Sequence, residues 1–223
     1  MKKAKKIVII PARGGSKRLP NKNTLMLGGI PLIAHSINYA KANGIDTIVV
    51  STDNLEIKKI ALEYGAKVLD RPKELATDTS PTIDTLKEVL LKLKENYDDV
   101  ILLQPTNPLR PLEMLSKALL VFKENNCNSL MTVSRNHHKL GKINNRKFTP
   151  YNYKMGQRSQ DLEPLYFENG LLYITKVDLI LKGKILGENN FPMVINHPFA
   201  SIDIDTQDDF DLAEFYFQKY RNE

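Results

Sequence analysis

Two aspartates one residue apart, Asp203 and Asp205, stand in the run Ser201-Ile-Asp-Ile-Asp-Thr206. In extended backbone alternate side chains share a face, so these carboxylates lie together while Ile202 and Ile204 turn toward a core. Carboxylates so placed repel one another unless a cation joins them. An all-oxygen pair suits magnesium, which commonly takes one or two carboxylates together with substrate phosphates. Far away in sequence, Pro11-Ala-Arg-Gly-Gly-Ser-Lys-Arg-Leu-Pro-Asn-Lys-Asn23 gathers Arg13, Lys17, Arg18 and Lys22 around Gly14-Gly15. Glycines let backbone amides approach a ligand and the cations offset phosphate charge, which makes a polyanion cradle. The loop matches neither of the common glycine-rich phosphate motifs, GxxxxGK[ST] and GxGxxG. Leu103-Gln-Pro-Thr-Asn-Pro-Leu-Arg110 adds a turn stiffened by two prolines, where Gln104 offers a donor and acceptors to a hydroxylated ligand. Ser51-Thr-Asp53 supplies a further carboxylate, which reads equally as a ligand contact or a helix cap. A cradle, a recognition turn and a metal pair together describe transfer of a nucleotide from a triphosphate. Such chemistry needs positioning and charge neutralisation more than a dedicated nucleophile.

These segments need a scaffold. Short apolar runs alternate with helical patterns, the mark of a layered α/β domain with a mostly parallel sheet. Strands are expected over residues 6–11, 47–51, 67–69, 100–103, 130–134, 171–175 and 200–204. Helices are expected over 31–43, 55–64, 81–96 with Ser80 as cap and Pro81 in the first turn, 111–125 and 206–220, the last with Thr206 and Asp209 at capping-box spacing. All four chemical segments then fall at carboxyl ends of strands, where open α/β sheets bind ligands. Over residues 135–168 the pattern fails, and the stretch reads as a loop, a lid or an arm packing on a second subunit. The expected division is an α/β domain of residues 1–134 and 169–223, with 135–168 inserted.

The net charge is +6. Part of the excess is the cluster Met1-Lys-Lys-Ala-Lys-Lys6, and the rest is spread over helical faces such as Lys87, Lys92 and Lys94 with acids between. No aromatic-and-basic strip suggests a nucleic-acid groove, so neither nucleic acid nor membrane is expected as a partner. The single cysteine, Cys127, forms no internal disulfide, which suits a reducing compartment. The apolar run after the first lysines is too short for a signal sequence, and nothing approaches a membrane span. A cytoplasmic protein is expected. His137-His138 lacks further ligands at metal spacing, and Tyr216, Phe217 and Tyr220 read as packing.

The segments IPARGGSKRLPNKN, RPKELATDTSPT, LLQPTNPLR, QRSQDLEPLYFENGLLYIT and SIDIDT, in this order, resemble the acylneuraminate cytidylyltransferases. These are the CMP-sialic acid synthetases and their relatives for legionaminic and pseudaminic acids. The resemblance implies a three-layer, doubly wound nucleotidyltransferase fold of Rossmann-like type, with a small dimerisation arm. It implies CTP over the first loop, with Arg13, Lys17 and Lys22 acting on the phosphates. Ala12, Gly14, Gly15, Ser16, Asn23, Arg71 and Ser80 would surround the nucleotide. Gln104, Lys139, Lys142, Arg158 and Tyr173 would face the sugar, and Asp203 and Asp205 would hold Mg²⁺, with Mn²⁺ able to substitute. A homodimer is implied, its arm lending residues to the neighbouring site. Two departures stand out. Family members commonly follow the histidine pair with a proline and then a lysine, where this chain has Lys139-Leu-Gly-Lys142. Many also place an arginine where Ser159 stands, with Arg158 here one residue earlier. A cytidylyltransferase for the eight-carbon sugar Kdo is the alternative within the class, although its loop runs R-L-P-G-K-P-L against Arg18-Leu-Pro-Asn-Lys-Asn. Outside it stands a nucleotide-sugar-binding protein without catalysis, which has little need of Lys17 and a paired metal site.

Overall fold

The computed structural model describes residues 4–220, so Lys2 and Lys3 of the amino-terminal cluster lie outside the described residues. Strand β1 (Lys6–Pro11) leads through the basic loop and a small hairpin, β2 (Met26–Leu27) with β3 (Ile30–Pro31), into helix α1 (Leu32–Ala42). Alternating units follow: β4 (Ile48–Thr52), α2 (Leu55–Glu63), β5 (Lys67–Asp70), α3 (Thr82–Leu93), β6 (Asp99–Leu102) and α4 (Met114–Glu124). Then come β7 (Ser129–Asn136), a hairpin of β8 (Gly141–Asn144) and β9 (Lys147–Pro150), and β10 (Leu165–Lys176). Helix α5 (Val177–Leu181), β11 (Asn190–Val194) and α6 (Gln207–Lys219) follow. Seven strands form one sheet in the order β11-β7-β10-β6-β1-β4-β5, in which only β10 runs against its neighbours.

The near-continuous apolar run of β1 follows from burial on both faces. Val8 and Ile10 pack with Ile33 and Ile37 of α1, Ile57 of α2 and Leu115 of α4. Ile7 and Ile9 pack on the opposite face with Leu86 and Val89 of α3 and Ile180 of α5. The fold is therefore the three-layer, mostly parallel α/β sandwich expected. A third cluster joins Leu19 of the basic loop to Leu27, Leu109, Ile202, Ile204 and Phe210 of α6, with Tyr216, Phe217 and Tyr220 at its margin. That cluster fixes the loop and the acidic segment to one support. No described helix is long and apolar enough to cross a membrane.

Several local expectations need correcting. Residues 200–204 are not a strand: Pro198–Ser201 is a 3₁₀ turn and the following residues have no ladder. The alternation survives because Ile204 donates its N–H to the Thr106 carbonyl at 2.8 Å and Asn107 Nδ2 donates to the Ile202 carbonyl at 2.7 Å. Ile202 and Ile204 are buried and Asp203 is exposed, as the spacing requires. Ser80 does not cap α3, whose N-cap is Pro81. Its hydroxyl instead donates to the Glu74 carbonyl at 3.0 Å. The Thr206–Asp209 capping box of α6 is present. The stretch 135–168 carries more order than its pattern suggests, because β7 and β10 run into it and β8–β9 closes it.

The turn after β6 is held by Arg110, a buried cation that no carboxylate pairs among the described residues. Its guanidinium donates to the carbonyls of Leu171 and Gln104, at 2.8 Å each, and to Ser36 Oγ at 3.1 Å. Burial draws it down to about 10, still charged at neutral pH. Arg110→Ala strands two buried carbonyls and leaves a cavity, and is expected to cost about 3 kcal/mol. Thermal unfolding should then show a Tm lower by roughly 6–12 °C. An unshifted Tm would refute the anchoring role.

Candidate active site

Pro11 at the end of β1 and Gln104 just beyond β6 open onto a cavity of about 470 Å³. The basic loop lines it with Arg13, Ser16, Lys17, Arg18, Lys22 and Asn23. The segment after β5 contributes Arg71, Asp78 and Ser80, the turn after β6 contributes Gln104, and Asp205 reaches in from before α6. Ala12, Gly14, Gly15 and Asp203 do not line it.

The loop's backbone is pinned from behind. Ala12 is buried and donates its N–H to the Ser51 carbonyl at 2.9 Å, which continues the β1–β4 pairing. Gly14 donates its N–H to Asp53 Oδ1 at 2.9 Å. Asp53 is thus not the cap of α2: Asn54 caps that helix, accepting from the amides of Glu56 and Ile57. A side chain at position 14 would stand 2.7 Å from Asn54 Cβ, so only glycine fits. Asn23 clips the loop by donating to the Arg13 carbonyl at 2.9 Å.

The cations are paired within the site. Arg13 and Lys17 share the carboxylate of Asp78, each at 2.5 Å. Lys22 donates to Asp205 Oδ1 at 2.8 Å and to the Ile204 carbonyl at 2.7 Å, and Arg18 pairs with the other oxygen of Asp205. Arg71 lies buried, donating to the Ser51 carbonyl at 2.7 Å and to Ser51 Oγ at 3.2 Å. Burial lowers its guanidinium to about 10, against the pull of Asp53 and Glu88.

Although the residue as a whole is exposed, desolvation of its carboxyl by surrounding atoms pushes Asp203 above its usual range, a Thr106 hydrogen bond opposes that, and the nearby charge of Asp205 adds to it. Two neighbouring carboxylates, one of them at the cavity wall, have the donor chemistry of a hard, oxygen-preferring divalent cation. The residues present fit Mg²⁺.

A second cavity of about 320 Å³ shares Gln104 and Thr82 with the first. It adds Leu102, Glu168, Tyr173, Ile185 and Leu186. Tyr173, nearly buried, donates its hydroxyl to the carboxylate of Glu168, and burial above all holds the phenol protonated. The arm residues stand elsewhere. Lys139 lies over the Tyr153 ring, Lys142 over the Tyr151 ring, and Arg158 forks onto Asp161 at 2.8 and 3.1 Å, all exposed. None of the three lines either cavity.

Sequence reasoning missed Asp78, Glu168 and the structural pair Asn107 and Arg110. The last two sit inside a motif already singled out, where two buried-type polar residues beside prolines were the available signal. Asp78 gave none, since a lone acid shows its distant cations only once the chain is folded.

Residues 7–219 match the family model described as Cytidylyltransferase. The CMP-N,N'-diacetyllegionaminic acid synthase of Legionella pneumophila is 38% identical over 222 residues, covering 93% of this chain and 94% of that protein. The N-acylneuraminate cytidylyltransferase of Streptococcus agalactiae serotype III is 35% identical over 92% of this chain, which spans only 52% of that longer protein. Among solved structures, the CMP:2-keto-3-deoxy-manno-octonic acid synthetase complexed with CTP superposes with a TM-score of 0.71 at 20% identity, covering 97% of this chain and 99% of that one. That likeness speaks for the fold alone. The family match over nearly the whole chain and the two relatives agree with the loops: this chain is a nucleotidyltransferase of the cytidylyltransferase family, in the acylneuraminate cytidylyltransferase group.

Proposed function

We propose that the chain couples CTP to an acidic nonulosonic sugar, of the sialic or legionaminic type, giving the CMP-sugar and pyrophosphate. The observation that carries this is the pair of neighbouring cavities that share Gln104 in their walls, one walled by cations and Asp205, the other by a phenol, a carboxylate and aliphatic side chains. The anomeric hydroxyl oxygen of the sugar attacks the α-phosphorus. The bond from that phosphorus to the bridging oxygen breaks, pyrophosphate leaves with the electron pair, and the hydroxyl proton passes to solvent water. Arg13, Lys17 and Lys22 offset the charge that develops on the phosphates. Arg71, Ser80 and Asn23 lie where the nucleoside end of CTP would rest, and Gln104 and Tyr173 where the sugar would. Mg²⁺, held by Asp203 and Asp205, supplies charge neutralisation and template orientation at the phosphates when bound.

The arm belongs to the same reading. Ile143, 74% exposed, and Phe148, 54% exposed, leave β8–β9 with apolar side chains largely open to solvent among the described residues. A homodimer, in which Lys139, Lys142 and Arg158 serve the neighbouring site, would cover them. A cytoplasmic location is part of the same proposal, since CTP is a cytoplasmic substrate.

The direct test is pyrophosphate release from CTP and Mg²⁺ with N-acetylneuraminate, legionaminate, pseudaminate, Kdn and Kdo in parallel. Turnover with a nine-carbon acid is expected. Turnover with Kdo alone would move the chain to the eight-carbon class. Silence with all five, from folded protein, would sink the proposal.

A further inference from the structure

Asp205 and Asp78 each neutralise two loop cations, yet they differ in what else holds the partners. Lys22 is buried and also tied to the Ile204 carbonyl, so it stays in place whatever happens to Asp205. Lys17 has no second anchor and is 82% exposed, while Arg13 and Asp78 are 33% and 38% exposed. Ion pairs this open to solvent contribute little to stability, so a polyanion readily takes the cations over.

The backbone turn that carries the carboxylate, in contrast, is braced by Thr77 Oγ1 against Ser80 Oγ at 2.7 Å, by the Thr77 N–H donating to Ser80 Oγ at 3.2 Å, and by Ser80 Oγ donating to the Glu74 carbonyl. Lys17 first and Arg13 next hold the Asp78 carboxyl below its usual range, so it is ionised at neutral pH. Once phosphates occupy Arg13 and Lys17, the negative charge carried on this braced turn faces a polyanion with its own partners gone, and like charges so placed repel. The repulsion weakens every phosphate chain bound there, including the pyrophosphate that must leave after each turnover.

We propose that Asp78 is a positioning residue for pyrophosphate departure: it holds Arg13 and Lys17 between turnovers, yields them to the triphosphate, and takes them back as the leaving group goes. This rests on the reading of the cavity as the CTP site. It makes Asp78 unfavourable for affinity and favourable for release, the opposite of what a residue that merely shapes the loop would be.

The test is calorimetric titration of inorganic pyrophosphate and, separately, of CTP into the full chain and its Asp78→Asn variant, with product inhibition measured alongside. Asp78→Asn is expected to tighten pyrophosphate binding about tenfold, to tighten CTP binding as well, and to lower kcat while kcat/KM for CTP holds or rises. Asp78→Glu, which keeps the charge, should stay near the original. Unchanged or weaker pyrophosphate binding in a variant with the original Tm would overturn the proposal. Asp78→Ser gives the same comparison should the asparagine variant melt early. Failure of the unmodified chain to bind CTP would instead strike the function itself, and is told apart from the other outcomes by that titration alone.

Discussion

Asp205→Asn should reduce kcat by about 10³-fold or more while the protein stays folded. The substitution keeps the shape of the side chain and removes the charge that faces the cavity. A metal acting as Lewis acid contributes several kcal/mol to charge stabilisation, and about 4 kcal/mol corresponds to a thousandfold in rate. The stability cost is small by comparison. Asp205 loses its pairs with Arg18 and Lys22, but Lys22 keeps the Ile204 carbonyl and Arg18 is largely in solvent. A Tm drop of about 2–4 °C is the expected scale. The measurement is single-turnover pyrophosphate release over a range of MgCl₂ concentrations. A kcat close to the original at ordinary Mg²⁺ would remove Asp205 from the metal site.

Lys17→Ala should lower kcat by about 10²–10³ with little change in the binding of the sugar, by analogy with the loss of one oxyanion donor. Among the described residues its ammonium pairs only with Asp78 and is otherwise solvated, so the fold has little stake in it and Tm should not move. Lys17→Arg should restore part of the rate, because charge is kept while the point geometry is not. Steady-state kinetics with CTP varied separates the outcomes. An unchanged kcat would assign the loop to something other than the transferred phosphates.

What the sequence disclosed, it disclosed through burial. The run Lys6–Pro11 is buried on both faces and its limits are the observed ones. The Thr206–Asp209 capping box was legible because it is local. The acidic segment was misread as a strand for a physical reason. Alternating burial reports an extended backbone, and says nothing of whether a neighbouring strand or, as here, Thr106 and Asn107 hold it. The β8–β9 hairpin escaped notice because Ile143 and Phe148 point outward, so no buried face imposed a period. Strand β11 was missed because it is an edge strand with Pro192 in its middle. At the site, the loop's cations and the acid pair were visible as types. Their mutual neutralisation through Asp78 and Asp205 joins residues more than sixty positions apart, which no local pattern encodes.

The central place of β1 has a consequence for how the chain is made. Val8 pairs with Ile48 on one side and Ile7 with Val100 on the other, so the strand leaves the ribosome long before its second neighbour exists. At roughly 5–20 residues per second, that interval lasts several seconds or more. Throughout it Ile7, Val8, Ile9 and Ile10 form an uninterrupted β-prone segment with nothing to bury them, the composition that seeds intermolecular sheets. Lys2, Lys3, Lys5 and Lys6 before it and Pro11 directly after are the charged and backbone-blocking flanks that hinder such stacking. The lysine cluster, of which Lys5 also pairs with Glu95 in the folded chain, is thereby placed to keep the nascent strand from stacking on its copies.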